Sequence, residues 1–318
     1  MSMFERLQSW WKQHRPSTGV IVASCVLATL FLIVYGYGLH RLFTIWLADQ
    51  DYQHGFIVPL FSLFLLWHRR SFLGPAVERG SWWAAPFFIA WALMRFNAAY
   101  FNYQTLDEYS MIPFLLGVVL VVGGWQAFVW AWPAIVFLFF MMPLPAQLSV
   151  ELALKLQHMA TVVSVFLLQM VGIAALSQGN VILLPSSDPL EVARQCSGLR
   201  MMMMFFAICV GAAFVIRTPR WEKVVMILSA VPIAVICNIA RIALTAVQRE
   251  VLAWEWLDRA AHDMAGWMMM PVAILMLWGE LTLLWRLFPE PEEIGVFLSD
   301  PSGRLAAYGR SLAGPGRR

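Results

Sequence analysis

The chain has 318 residues, of which 60% are hydrophobic and only 13% are charged. A soluble domain of that length could not hide so much apolar surface, so the composition excludes an ordinary water-soluble enzyme and indicates a polytopic membrane protein. The net charge of +3 is too small for a nucleic-acid binder, and no nucleic-acid partner is expected.

Residues 1–18 form a polar, basic segment, and the first apolar run follows it. A spanning helix needs about 20 apolar residues. Candidate runs lie near 19–39, 55–68, 81–96, 111–125, 127–142, 150–176, 196–216, 223–247 and 264–286. Basic residues orient them by the positive-inside rule. Arg6, Lys12 and Arg15 assign the N-terminus to the cytoplasm, and Arg69, Arg70 and Arg79 do so for the loop after the second run. Arg217, Arg220 and Lys223 mark a third cytoplasmic loop, and Arg304, Arg310, Arg317 and Arg318 mark the C-terminal tail.

Both termini on one side require an even number of crossings, which the nine runs do not supply. The run at 150–176 opens with Glu151, Lys155, Gln157 and His158, and a charge at mid-bilayer costs roughly 3 kcal/mol. It therefore reads as an interfacial or re-entrant helix. The stretch 179–195, with two short apolar runs around Pro-Ser-Ser-Asp-Pro, reads as a β-hairpin or loop.

The expected fold is all-α and polytopic. It has about eight transmembrane helices, one interfacial or re-entrant helix, and a short extracytoplasmic β-hairpin or loop before Cys196. The chain divides into a cytoplasmic segment 1–18, a multi-helix membrane domain 19–288, and a flexible cytoplasmic tail 289–318 rich in Pro, Gly and charge. The "PEP" at 289–291 reads as a linker.

The four cysteines are Cys25, Cys196, Cys209 and Cys237, and none forms a CxxC pair. That argues against a disulfide scaffold or a zinc site, and no metal or cofactor is expected. Depth can be read from the cytoplasmic loops at 1.5 Å per helical residue. Cys196 lies about 31 Å before Arg217, Arg241 about 27 Å after Lys223, and His262 about 36 Å before Arg286. Against a hydrocarbon core of about 30 Å, all three reach the outer boundary.

Together these three groups can perform acyl transfer. A thiolate attacks a carbonyl, a histidine moves the proton, and an arginine stabilises the thiolate or the oxyanion. Each also has a plainer reading. Cys196 is a small packing residue, Arg241 snorkels to lipid phosphate, and His262 is an ordinary interfacial histidine.

The motifs "EVARQCSGLR" (191–200), "NIARIAL" (238–244) and "HDMAGW" (262–267) together resemble the exosortase/archaeosortase family of membrane cysteine transpeptidase-like proteases. "DYQHGFIVPLFSLFLLW" (51–67) looks like that family's N-terminal segment, and the matches extend over roughly 19 to 286. The resemblance implies Cys196 as nucleophile, Arg241 as electrostatic helper and His262 as general acid/base. It also implies the substrates: exported proteins with a C-terminal sorting tail of short motif (such as Pro-Glu-Pro), hydrophobic helix and basic cluster. These would be cut at the outer face of a bacterial inner membrane, with membrane lipid as the remaining partner. A reading from another class is a non-catalytic membrane component or transporter of an exopolysaccharide or protein export system.

Secondary candidates surround these three. Arg200 shares a helix face with Cys196 and would lower the thiol pKa, hold a substrate carboxylate, or simply sit at the interface. Gly198 would let a substrate backbone approach or ease the helix start. Asn238 would orient Arg241 or cap a polar pocket. Asp258 would fix the tautomer of His262. His54 would line the site or serve structure. Met201–Met204 and Met268–Met270 read as packing, or as a groove for varied substrate helices.

Overall fold

The computed structural model describes residues 18–72, 81–192, 198–216, 218–252 and 255–287. Nearly all of them are helical. In chain order come α1 (Thr18–Ala48), a 3-10 segment (Gln50–Phe56), α2 (Ile57–His68), α3 (Ala85–Tyr100), α4 (Gln104–Tyr109) and α5 (Met111–Phe137). The second half holds α6 (Ala146–Met170), three short strands, β1 (Leu176–Gln178), β2 (Val181–Leu183) and β3 (Leu190–Glu191), then α7 (Leu199–Val215), α8 (Arg220–Leu252) and α9 (Glu255–Leu287).

Among the described residues, five segments are long and apolar enough to cross a membrane: Cys25–Ala48, Gln104–Met141, Ala146–Met170, Arg220–Val251 and Met269–Arg286. The count of eight expected from hydropathy is not reproduced by length, because α2, α3 and α7 have only 12, 16 and 17 residues. The polytopic, helical character stands.

The segment Gln104–Met141 is not one rod. Inside α5, Gly124 takes φ 66° and ψ −160°, a conformation open to glycine and strained for other residues. The chain reverses there. At one end of the resulting hairpin the Tyr109 and Phe139 rings stack 5.0 Å apart, and the Tyr109 hydroxyl donates to the Pro143 carbonyl at 2.8 Å. At the other end Arg69 Nη2 donates to the Val129 carbonyl at 2.9 Å, Trp130 Nε1 to the Leu66 carbonyl at 2.8 Å, and the Ser81 amide to the Leu120 carbonyl at 3.2 Å. The apolar runs 111–125 and 127–142 are the two arms.

The bundle therefore has two ends. One carries the segment Gln50–Phe56 and the turn at Phe140–Leu144, joined by His54 Nε2 to the Phe140 carbonyl (3.0 Å), Trp46 Nε1 to the Met141 carbonyl (2.8 Å) and the Leu144 amide to the Tyr52 hydroxyl (3.3 Å). The opposite end carries Arg69, Gly124 and the start of α8.

Helix α6 is long enough to cross, yet both of its ends lie at or beyond the first of these ends. It starts right after the Phe140–Leu144 turn. Ser164 Oγ donates to the Ile239 carbonyl at 3.3 Å, so the helix runs beside the second half of α8. Three of its polar groups face protein: Gln157 donates to the Val192 carbonyl, and Thr161 and Ser164 are fully buried. Its only described ion pair, Lys155 with Glu151, sits exposed in the first turns.

The strands form one antiparallel sheet in the order β1-β2-β3, with Leu176 opposite Leu183 and Ile182 opposite Leu190. Ile182, Leu190 and Val192 bury against Leu168 of α6 and Ile242 and Ala246 of α8. Glu250 of α8 straps the following loop down, accepting from the Ser186 amide (3.1 Å) and the Ser187 hydroxyl (2.9 Å). The expected hairpin or loop before Cys196 is thus a three-stranded sheet clamped onto α8.

Helices α7, α8 and α9 share a core of small and sulfur-bearing side chains, including Cys209, Ala230, Ala234, Cys237 and Ala273. Small residues permit close helix approach where no hydrophobic driving force separates protein from lipid. Met201, Met202, Met269 and Met270 pack into or against this core, in keeping with the packing reading of the methionines.

Candidate functional site

The site is assembled at the junction of α7 and α8. Gly198 caps α7 in the left-handed region, with φ 85°. A Cβ there would stand 2.7 Å from Asn238 Nδ2 and 2.8 Å from Asn238 Cγ. Glycine is therefore required twice, by its backbone angle and by the approach of Asn238. The sequence offered room for a substrate backbone or ease of the helix start, and the residue stands at the helix start against Asn238. Leu156 and Met159 of α6 close the junction from the side.

Asn238 is 2% exposed and accepts a hydrogen bond through Oδ1 from Arg241 Nη2 at 2.7 Å. The expectation that Asn238 orients Arg241 corresponds to this contact. The spacing of three puts both side chains on one face of α8. The same face continues through Thr245 to Arg249. Arg241, Thr245 and Arg249, together with Leu190 and Glu191 of β3 and the following Val192, line an open cavity of about 240 Å³. The sequence did not single out Thr245 or Arg249, although their spacings of four and eight from Arg241 were the available signal.

Cys196 and its neighbours 193–197 lie outside the described residues. The residue that follows them, Gly198, is the one in contact with Asn238. His262 and Asp258 fall on the helical backbone of α9, and their side chains are outside the described set. The register of α9 along α8 is set at the opposite end, where Ser229 Oγ donates to Glu280 Oε2 at 2.7 Å and Trp285 Nε1 to Glu222 Oε2 at 3.2 Å. Carried along the two helices, that register brings the His262 backbone level with Val247, about 9 Å beyond Arg241 at 1.5 Å per residue. The backbone of His262 thus belongs to the same end of the bundle, less than two turns farther out.

Arg200 is bonded to the N-terminal half of the chain. Its Nε donates to Asp51 Oδ1 at 2.9 Å and its Nη2 to Gln50 Oε1 at 3.1 Å. The guanidinium is thus held by the segment Gln50–Phe56, and its carboxylate partner comes from the N-terminal half of the chain. Neither Asp51 nor Gln50 was a sequence candidate. Their partner lies 149 or 150 positions away, beyond any local pattern.

His54 is buried beneath this contact. Nε2 faces the Phe140 carbonyl and so carries the proton, while Nδ1 has no hydrogen-bond partner. Burial holds the imidazole pKa below its ordinary value. The next residue, Gly55, lies so close to the Trp46 indole that a Cβ would fall 2.3 Å from Nε1. His54 and Gly55 therefore fasten the 3-10 segment to α1 and to the Phe140–Leu144 turn.

Among the described residues no group of three His, Cys, Asp or Glu side chains is arranged to hold a metal. The model of the family described as "Transmembrane exosortase (Exosortase_EpsH)" matches residues 46–279. Neither the curated proteins nor the solved structures contain a significant match.

Proposed function

The chain belongs to the transmembrane exosortase family, and from that membership we propose that it is a membrane cysteine peptidase or transpeptidase that removes the C-terminal sorting tail of exported proteins. Membership supports a protease-like or transpeptidase-like membrane role in general. The finer reading adds the residues, the substrate and the side.

In this reading the Sγ thiolate of Cys196 attacks the carbonyl carbon of the scissile peptide. Arg241 stabilises the anionic oxygen, and His262 protonates the departing amine as the C–N bond breaks. A thioester to Cys196 remains. Water or an acceptor amine then attacks it, and the thiolate leaves. The tail-bearing segment approaches along the cavity between β3 and the Arg241–Arg249 face of α8. The site faces the extracytoplasmic side of a bacterial inner membrane with both termini in the cytoplasm, and α6 lies along the outer interface.

One observation carries the reading more than any other. Gly198 lies against Asn238, and Asn238 holds Arg241 at 2.7 Å. This brings the chain two residues after Cys196 to within one helical turn of Arg241, although the two positions are distant in sequence. The half-buried hydrogen bond gives the guanidinium a defined direction, as electrostatic catalysis requires.

The test is Cys196→Ala, with Cys196→Ser beside it, in cells expressing a tagged tail-bearing substrate. Uncut substrate is expected to accumulate in the membrane while the variant enzyme is present at the normal level. Removing the nucleophile of a covalent mechanism is expected to lower the rate by a factor on the order of 10³ or more. Normal cleavage by the alanine variant would overturn the proposal.

A further inference from the structure

A second charged cluster lies at the same end of the bundle, between α1, α3 and α4, and takes no part in the mechanism above. Arg41 Nη1 of α1 donates to Glu108 Oε1 of α4 at 2.5 Å, and Arg95 Nε of α3 pairs with Asp107 Oδ1 of α4 at 3.2 Å. The four side chains line an open cavity of about 300 Å³ together with Tyr103 and Asn102.

We propose that this cavity binds the zwitterionic head of an aminophospholipid, with the primary ammonium on Glu108 and the phosphate on Arg41 and Arg95. Three observations lead there. Glu108 is 3% exposed and its Oε2 has no hydrogen-bond partner. A buried carboxylate oxygen in that state requires a donor, and a charged donor satisfies it best. Arg41 and Arg95 use only some of their five N–H groups within the cluster, and both keep about a third of their side-chain surface open to the cavity side. They have donors left for an anion.

The cluster is also internally neutral, two guanidiniums against two carboxylates. A ligand with a single net charge would upset that balance, whereas an ammonium joined to a phosphate preserves it. A soluble zwitterion has the same chemistry. The surroundings favour the lipid: Tyr37 of the lining, and Phe96, Tyr100 and Phe101, adjacent in sequence to the lining residues Arg95, Ala99 and Asn102, are 68–74% exposed. Exposed rings of that kind belong to the headgroup level of a bilayer.

The test is native mass spectrometry of the purified full-length protein in detergent, titrated with phosphatidylethanolamine, phosphatidylcholine and phosphatidylglycerol of matched chains. Choline's quaternary nitrogen has no N–H to give Glu108 Oε2. One charge-assisted hydrogen bond corresponds to about tenfold in affinity, so phosphatidylethanolamine is expected to bind about tenfold more tightly than phosphatidylcholine.

Glu108→Gln is expected to remove the preference. Because that change also disturbs Arg41, Ala99→Trp serves as the second variant. Ala99 is an exposed wall residue of the cavity, and the indole fills its mouth without breaking any bond. Equal binding of the ethanolamine and choline lipids overturns the proposal, as does strongest binding of the glycerol lipid. A preference that survives Ala99→Trp also overturns it. Competition by free glycerophosphoethanolamine as effective as the whole lipid would refute the lipid as the source of the head.

Discussion

At one end of the bundle the two halves of the chain are held together by different chemistry. The N-terminal half is fastened by directional bonds between side chains and carbonyls far apart in sequence: Arg41 to Glu108, Arg95 to Asp107, Trp46 to Met141, His54 to Phe140 and Tyr109 to Pro143. In the C-terminal half the α7–α8–α9 core brings small residues into close contact, Ala230, Ala234 and Ala273 among them, with Gly198 against Asn238. Polar bonds fix angles and tolerate some slack in distance. Small-residue contacts fix distance and tolerate none. The candidate site sits on the second kind of support and is steadied from the first by Arg200, which reaches Asp51 and Gln50.

The largest effect should come from the contact with no slack. Gly198→Ala puts a Cβ 2.7 Å from Asn238 Nδ2 and a side chain at φ 85°. Left-handed backbone costs a non-glycine residue roughly 1–2 kcal/mol, and displacing a reacting group by about 1 Å costs about 10²-fold in rate. Tail cleavage by Gly198→Ala is expected to fall about 100-fold, with the protein still inserted. The double variant Gly198→Ala/Asn238→Ala relieves the collision yet loses the partner of Arg241, so it should recover little. Wild-type rates in the single variant would show that the α7–α8 distance does not control the site.

Much of this arrangement is legible in the sequence, for local reasons. Apolar runs mark the helices, and the Gly123–Gly124 pair falls where runs 111–125 and 127–142 separate. Pro-Ser-Ser-Asp-Pro betrays the surface hairpin. The Asn-x-x-Arg spacing puts Asn238 beside Arg241. What stays hidden is long-range. Nothing near Arg200 points to Asp51. Arg41, Arg95 and Glu108 lie in three separate elements, and no periodicity links them. The course of α6 is only half visible: its charged first turns point to the interface, its length and hydropathy allow a crossing, and its direction is set by Ser164 on Ile239 and Gln157 on Val192.

The bridge between the halves should matter less than the contact. The Arg200–Asp51 pair is about one-third exposed on each side, and pairs of that exposure are worth at most about 1 kcal/mol. Asp51→Asn is expected to slow cleavage roughly fivefold by letting the start of α7 drift. Arg200→Gln should do the same, and the double variant should be no worse than either alone, a coupling that a double-mutant cycle measures. Additive losses would mean that the two residues act separately and that Arg200 has another task.

The smallest effect should come from His54, deep in the polar-bonded half, and its sign follows from burial. The folded protein holds the imidazole pKa below its ordinary value, and in the unfolded chain it titrates near 6.5. The neutral ring's contribution is therefore complete above about pH 6.5 and is lost as pH falls toward the depressed folded value. His54→Gln keeps an N–H for the Phe140 carbonyl and removes the titration. At pH 7.5 the variant is expected to melt within a few degrees of the wild type, since one neutral hydrogen bond is worth about 1 kcal/mol. At pH 5.5 the wild type should lose more of its melting temperature than the variant does. Parallel losses in the two proteins would place the acid-sensitive group elsewhere and leave His54 as packing alone.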